Sequence, residues 1–271
     1  MTSTTPSNKN PSITYISGAI VQGRIIGALM MREIMTRYGR EGLGFFWLVA
    51  EPLIFCLGVL IMWHFLKPPY EHGILLGPFV MTGYMCLLLI RHMIGQSVGA
   101  VPANTGLLYH RAIKLPHIFA TRIILEFFGA TIAFFFIYVL LLVLRQVEPP
   151  SDWLLLYGGW FLMGGMAAGV GLIAGGLAML SDQFERLVGF ISYALIPISG
   201  AFMMTSFLPP SAREIYKWVP FPHATEMVRA SVFGEFVETH YDPMYGLLWV
   251  GIFNFVGLLI INSAKDRIEI E

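Results

Sequence analysis

Charge is scarce in this 271-residue chain: Asp, Glu, Lys and Arg make up 13% of it against 56% hydrophobic residues. That leaves too little polar surface for a soluble fold and too much apolar mass for a disordered one. An excess of either sign is missing too. Seventeen basic and seventeen acidic residues cancel, so no global field draws the chain to nucleic acid, and nucleic-acid binding drops out as a primary role. Cysteine is nearly absent. Cys56 and Cys86 both fall inside apolar runs, where packing accounts for them and no redox compartment is implied. None of the lysines (Lys9, Lys67, Lys114, Lys217, Lys265) closes a G-x-x-x-x-G-K-[ST] loop, so the chain binds no ATP in that manner. The histidines form no i, i+4 metal pair on an apolar run, which leaves no metal site visible. Ser199 before Gly200 is the nearest intramembrane nucleophile, yet Tyr245 to Ile261 offers no histidine partner.

What is present comes in bilayer-length runs, since a span needs roughly 20 apolar residues. Segments with little or no charge run from Leu43 to Leu66, Ile74 to Ile90, Ile123 to Leu144, Trp153 to Ser181, Leu187 to Leu208 and Tyr245 to Ile261. Unbroken stretches such as Phe134 to Val143 do not alternate, which excludes a transmembrane barrel. The expected fold is an all-α membrane protein of six transmembrane helices. Residues 1–12 read as a disordered tail, 13–42 as an interfacial helix region, 43–264 as the six-helix domain and 265–271 as a second tail.

An even number of spans puts both termini on one side. That side carries Lys9, Arg24, Arg32, Arg37, Arg40, Arg111, Lys114, Arg122, Arg186, Lys265 and Arg267; the other carries Lys67, Arg145, Arg213, Lys217 and Arg229. The positive-inside rule makes the first side cytoplasmic. The polar stretch from Met1 to Ser12 contains no cleavable signal peptide, in keeping with a cytoplasmic N-terminus.

Ahead of the first run, Met30, Met31, Ile34 and Met35 share one helical face and Arg32, Glu33, Thr36, Arg37 and Arg40 the other, a pattern clean from Gly27 to Tyr38. Such a helix either lies on lipid or is wedged between membrane and a cytoplasmic partner. In the first span Pro52 follows Glu51, so a kink is expected beside a buried acid that is either hydrogen-bonded to a neighbouring helix or part of a transport path. Arg91 in the second span either snorkels or points into an aqueous path. Between Pro102 and Pro116 lies a basic, aromatic segment long enough for two or three helical turns, suited to docking or to a lipid surface. Gly165/Gly169 and Gly171/Gly175 let another helix pack closely on the fourth span, within the chain or in a dimer. Pro209 to Pro243 reads as short amphipathic helices dipping into the outer interface, that is, re-entrant or gate helices between spans five and six. Few ionisable groups and no internal repeat argue against an ion-coupled transporter. The residues alone describe a transport or channel subunit that takes its energy from elsewhere.

The stretch Arg37-Tyr38-Gly39-Arg40-Glu41-Gly42-Leu43-Gly44-Phe45-Phe46-Trp47-Leu48-Val49-Ala50-Glu51-Pro52-Leu53 resembles the start of the membrane subunit of polysaccharide-exporting ABC transporters. Asn104 to Tyr109, continuing through Lys114 and Pro116, is similar to that family's cytoplasmic coupling segment. Trp218-Val219-Pro220 followed by His223, Glu226 and Arg229 resembles its extracytoplasmic gate region. Within the family the sequence looks most like the capsular polysaccharide permeases of the KpsM type; O-antigen or teichoic-acid export is the neighbouring alternative. The resemblance implies a homodimer in the bacterial inner membrane, bound to two copies of an ATP-binding subunit that hold the ATP and Mg. A periplasmic co-polymerase, an outer-membrane export protein and a lipid-linked acidic polysaccharide are the further implied partners. It assigns Asn104, Tyr109, His110, Arg111 and Lys114 to ATPase docking and Trp47, Glu51, Pro52, Arg91, Trp218, Glu226 and Arg229 to the channel or gate. Arg32, Arg37, Tyr38 and Arg40 fall at the cytoplasmic entrance, suited to the anionic end of the substrate. A membrane enzyme with Glu51 or Glu126 as general acid or base is the rival reading, and it needs a second polar group beside the acid.

Overall fold

A computed structural model describes residues 11–38, 44–66, 70–71, 73–108 and 113–268. The helices in chain order are α1 (Pro11–Tyr38), α2 (Gly44–Leu66), α3 (Leu76–Val98), α4 (Thr105–Leu108), α5 (Leu115–Val143), α6 (Trp153–Leu180), α7 (Asp182–Ile198), α8 (Pro210–Tyr216), α9 (Pro220–Phe233) and α10 (Pro243–Ile268). The only strands among the described residues form a two-residue antiparallel ladder between α2 and α3, pairing Tyr70 with Leu75 and Glu71 with Ile74.

Among the described residues, five helices are long and apolar enough to cross a bilayer: α2, α3, α5, α6 and α10. The fifth run of the sequence, expected from Leu187 to Leu208, does not stay helical to its end. Its helix is α7, 17 residues long. Pro197 lies in its last turn and Gly200 turns the chain at φ +75°, a left-handed backbone that glycine adopts without a Cβ penalty. The third run starts earlier than its apolar residues suggested, because Pro116 occupies the first turn of α5 and draws His117 and Arg122 into the helix.

The core is built on α3 and α6. Helix α3 is enclosed on nearly all sides, with Val80, Met81, Met85, Leu89 and Ile90 fully buried. The glycines of α6 are used inside the chain. Gly165, Gly169 and Gly176 face α10 at Val250, Phe253 and Ile260, while Gly171 and Gly175 face Met93, Ser97 and Phe119 of α3 and α5. Lipid offers no hydrophobic drive for helix association, so this close approach and the Asn254 amide donating to the Gly165 carbonyl (2.9 Å) hold α10 in place. The small-residue stripe is therefore occupied and leaves no surface for a second copy. A Cβ on Gly169 would lie 2.5 Å from Phe253 Cβ and 2.7 Å from the Asn254 amide nitrogen. Gly169→Leu is expected to cost about 3 kcal/mol through overpacking and to lower the melting temperature in detergent by several degrees. Gly251→Leu, where nothing lies within 4 Å, is the neutral comparison.

Helix α9 does not dip into an interface as an amphipathic helix would. Every residue from Phe221 to Val232 is buried among α3, α6 and α10. Gly159 makes room for it, since a Cβ there would sit 2.8 Å from Met227 Cβ and 2.9 Å from the Val228 amide nitrogen.

Candidate functional site

Two polar networks lie at opposite ends of the bundle. At the end where α3 finishes and α5 begins, α1 runs across the outside with its polar face turned inward. Leu29 and Glu33 are buried while Met31 and Met35 are exposed. The apolar stripe therefore faces outward, toward lipid in a membrane, and the charged face is the one that packs. Glu33 pairs with Arg122 of α5 at 2.7 Å. Arg122 Nη1 in turn donates to Gln96 Oε1 of α3 at 2.9 Å, and one turn deeper His92 and Glu126 approach to 3.6 Å. Positions 92 and 96 thus meet 126 and 122 as two rungs between antiparallel helices. Arg32 Nη1 donates to Asn104 Oδ1 at 2.7 Å, and Asn104 Nδ2 donates to the Ala100 carbonyl at 2.8 Å. His117 meets Gln22 of α1, and its Nδ1 accepts from the Lys114 amide at 3.1 Å. Helix α1 is keyed to α5 by Glu33 and Gln22 and to the turn after α3 by Arg32.

The described part of the segment between α3 and α5 holds two short turns between Pro102 and Pro116. Pro102–Asn104 form a 3-10 turn, α4 adds one turn, and Pro116 belongs to α5. Asn104 is buried and Lys114 exposed. Tyr109, His110 and Arg111 lie outside the described residues, as does Arg40. Arg37 and Tyr38 end α1.

At the opposite end, Arg229 and Glu226 of α9 hold the backbone that follows α7. Arg229 is 0% exposed. Its Nη1 donates to the carbonyls of Gly200 (2.8 Å) and Met203 (3.0 Å), its Nη2 to that of Ala201 (2.7 Å), and its guanidinium lies 4.4 Å from the centre of the Phe79 ring. A planar fork with several donors suits clustered carbonyls past a helix C-terminus, where a cation is also favoured. Gly83 of α3 admits this arrangement, because any Cβ there would meet the Ala201 carbonyl. Glu226, 1% exposed, accepts from the Thr205 amide at 3.0 Å through Oε1 and from the His240 amide at 3.2 Å through Oε2. Burial pushes its carboxyl above the ordinary range, and the charge of Arg229 opposes that shift. Tyr216 of α8 donates to the Pro197 carbonyl at 3.0 Å, and burial pushes its phenol up to about 12. Trp218 is 76% exposed and stands apart from this clamp.

Between the two ends, α2 and α7 flank α3 and present outward faces that carry polar groups. On α2 the exposed stripe is Trp47, Glu51, Ile54, Phe55, Ile61 and Phe65. Glu51 is thus exposed on an outward stripe rather than buried as expected; Pro52, one residue on, is the buried one. On α7 the outward residues include Glu185, Arg186, Phe190 and Tyr193. Arg91 reaches from α3 to lie 5.3 Å from the centre of the Tyr193 ring. By contrast the exposed face of α10 from Met244 to Leu259 is wholly apolar, as a lipid-facing surface is.

The family model described as ABC-2 type transporter matches residues 24–233. The chain belongs to that family. It is 39% identical over 256 residues to the capsule polysaccharide export inner-membrane protein BexB of Haemophilus influenzae, which covers 94% of this chain and 97% of that protein. To the capsule polysaccharide export inner-membrane protein CtrC of Neisseria meningitidis serogroup B it is 36% identical over 249 residues, 92% and 94% of the two chains. The polysialic acid transport protein KpsM of Escherichia coli is 25% identical over 258 residues, 92% and 97% of the two chains. The capsule-type resemblance therefore holds, with KpsM the most distant of these three relatives.

The family match spans both polar networks except Gln22 and His240. Of the residues assigned from sequence, Glu226 and Arg229 come together, Arg32 and Asn104 bond across 72 positions, and Arg91 meets the α7 face. Trp47, Glu51 and Trp218 stay apart from these groups. Sequence reading placed Arg122 in a loop and left Gln96 and His92 without a role. The i, i+4 spacing of 92/96 and of 122/126 was the available signal, but it becomes meaningful only once α3 and α5 are known to be neighbours. The second polar group that an enzyme reading demands exists at Glu126, in His92, but Glu126 is buried and closed to substrate.

Proposed function

We propose that this chain is the channel-forming subunit of an ATP-driven exporter that carries a lipid-linked, acidic capsular polysaccharide from cytoplasm to periplasm. The supporting observation is identity above a third, over nearly the whole length, with two proteins named for capsule polysaccharide export. Two copies face each other through the α2 and α7 surfaces. A carboxylate at mid-helix costs about 3 kcal/mol against lipid, so Glu51 belongs in a shared conduit rather than on a lipid face. Aromatic faces at Trp47, Phe190 and Tyr193 and weak polar contacts suit a chain that must slide.

In this reading α7 is the sixth spanning helix, since 17 residues rise about 25 Å. Helices α8 and α9 form the gate on the periplasmic side, and both termini are cytoplasmic. The protein sits in the bacterial inner membrane. Lacking a phosphate loop, it works with two copies of an ATP-binding subunit docked on Asn104, Tyr109, His110, Arg111 and Lys114. Arg32, Arg37, Tyr38 and Arg40 receive the anionic lipid end of the substrate, and a periplasmic co-polymerase and an outer-membrane export protein continue the path.

The test is co-purification with the ATP-binding subunit and measurement of ATP hydrolysis alongside surface polysaccharide. Charge reversal in Arg111→Glu/Lys114→Glu is expected to lower export at least tenfold while the subunit's own hydrolysis continues. Normal export by the double variant would remove the docking assignment, and failure to stimulate hydrolysis in the parent would remove the exporter reading.

A further inference from the structure

Beyond the α9 clamp, a cleft of about 600 Å³ opens between α8, the start of α9 and the start of α10. Its volume lies in the range of small-molecule sites. Trp218, Tyr241 and Tyr245 line it together with Lys217, Thr239 and His240, and with two carboxylates: Glu214, paired with Lys217, and Asp242, whose Oδ1 accepts from the Met244 and Tyr245 amides. We infer that this cleft is a sugar-binding exit site, taking pyranose units of the polysaccharide as they leave the conduit. The inference rests on the export reading above and names a site on its far side.

The chemistry of the lining carries the assignment. A pyranose has an apolar face of C–H groups edged by hydroxyls, and it is held by an aromatic plane with hydrogen-bonding groups beside it. Trp218 supplies the plane, being 76% exposed beside the cleft rather than packed into the bundle. Lys217 supplies hydrogen-bond donors for the hydroxyls at the edge of the sugar. Its present partner, Glu214 at 2.7 Å, is 72% exposed, and surface pairs of that kind exchange at little cost. His240 keeps a buried Nδ1 with no hydrogen-bond partner among the described residues.

The walls are fixed before any ligand arrives. His223 Nδ1 accepts from the Asp242 amide (2.9 Å), which leaves the ring proton on Nε2 to donate to the Lys217 carbonyl (2.8 Å). The Tyr245 hydroxyl donates to the Trp218 carbonyl at 2.7 Å, and Glu226 Oε2 fixes the His240 amide. Buried side chains therefore tie α8, α9 and the 237–242 loop into one frame, which lowers the ordering cost of binding. The open, partly polar cleft holds a sugar weakly enough to release it, as a moving polymer requires.

The test uses the full transporter in living cells. Wild-type Cys56 and Cys86 are both buried, so they give little background to a membrane-impermeant maleimide. Tyr241→Cys and, as a second reporter, Thr239→Cys are labelled from outside during export and again with polymer synthesis blocked at the polymerase, which leaves every protein partner in place. Labelling is expected to slow at least threefold when polymer is exported, and Trp218→Ala added to Thr239→Cys is expected to abolish that protection. Glu235→Cys, exposed and not part of the cleft lining, is expected to label equally in both conditions. Equal rates at both reporters in cells that display normal surface polysaccharide overturn the exit site while leaving the export reading intact. A protein or lipid occupant gives that same equality. Failure of either reporter to label from outside also overturns it. Absence of surface polysaccharide with the unmodified chain overturns the export reading itself.

Discussion

Replacing Arg229 by alanine is expected to lower the melting temperature of the detergent-purified protein by on the order of 10 °C and to abolish export. The guanidinium satisfies three carbonyls at 2.7–3.0 Å just past α7. Its loss leaves those groups, and the carboxylate of Glu226, buried without a counter-charge. Breaking a buried charged arrangement from one side costs about 3–5 kcal/mol, and each kcal/mol moves the melting point of a protein of this size by a few degrees. Arg229→Lys is expected to recover little, because a single ammonium cannot span the carbonyls that a planar fork reaches. Glu226→Gln added to Arg229→Ala is expected to restore part of the stability, since the orphaned carboxylate is then neutral. The two fully buried cysteines make a thiol-reactive dye a direct reporter of unfolding. An Arg229→Ala protein that melts with the parent would show that the clamp is not what holds the chain after α7.

The second large effect is expected at the Glu33–Arg122 pair, where stability and coupling separate. Arg122→Leu leaves Glu33 without the guanidinium, and Glu33→Leu leaves Arg122 without its carboxylate at 2.7 Å. Each single variant is expected to melt on the order of 10 °C below the parent. The double variant Glu33→Leu/Arg122→Leu is expected to melt near the parent, because apolar replacement of a whole buried pair is often neutral. If α1 passes motion of the segment between α3 and α5 to the bundle, the double variant supports ATP hydrolysis by the proposed ATP-binding subunit but exports poorly, despite its restored stability. A double variant that exports normally would confine the pair to a structural role.

The resemblance to polysaccharide-export subunits was legible in linear order, because the Arg37 to Leu53 stretch, the Asn104 segment and the Trp218 to Arg229 stretch keep their spacing without any fold. The α9 clamp was legible only in part. Glu226 and Arg229 stood out as charges in an otherwise apolar chain, but nothing in the sequence says that their partners are backbone amides and carbonyls of residues 200–205 and 240. Glu51 misled in the opposite direction. An acid beside a proline in an apolar run suggests burial, whereas the side of α2 that faces neighbours is set by α3 and α5, and it is Pro52 that turns toward them. For α1 the amphipathic pattern was legible, but the partners of its charged face were not. A charged face points to water only when no buried counter-charge awaits it, and Arg122 and Asn104 supply those partners here.

The sequence by itself determined that this chain is a bundle of apolar helices with an amphipathic helix ahead of it, since run length and helical periodicity are local properties that bilayer thickness converts into structure. Only the tertiary structure decided that α7 stops at Ile198, ahead of the turn at Gly200, and that α9 is swallowed by the bundle. It also decided that the α6 glycines serve α3 and α10, and that two buried ionic networks close the ends. Each of those outcomes depends on which helix is neighbour to which, and a buried charge or a bare glycine acquires its meaning from the group that packing places against it.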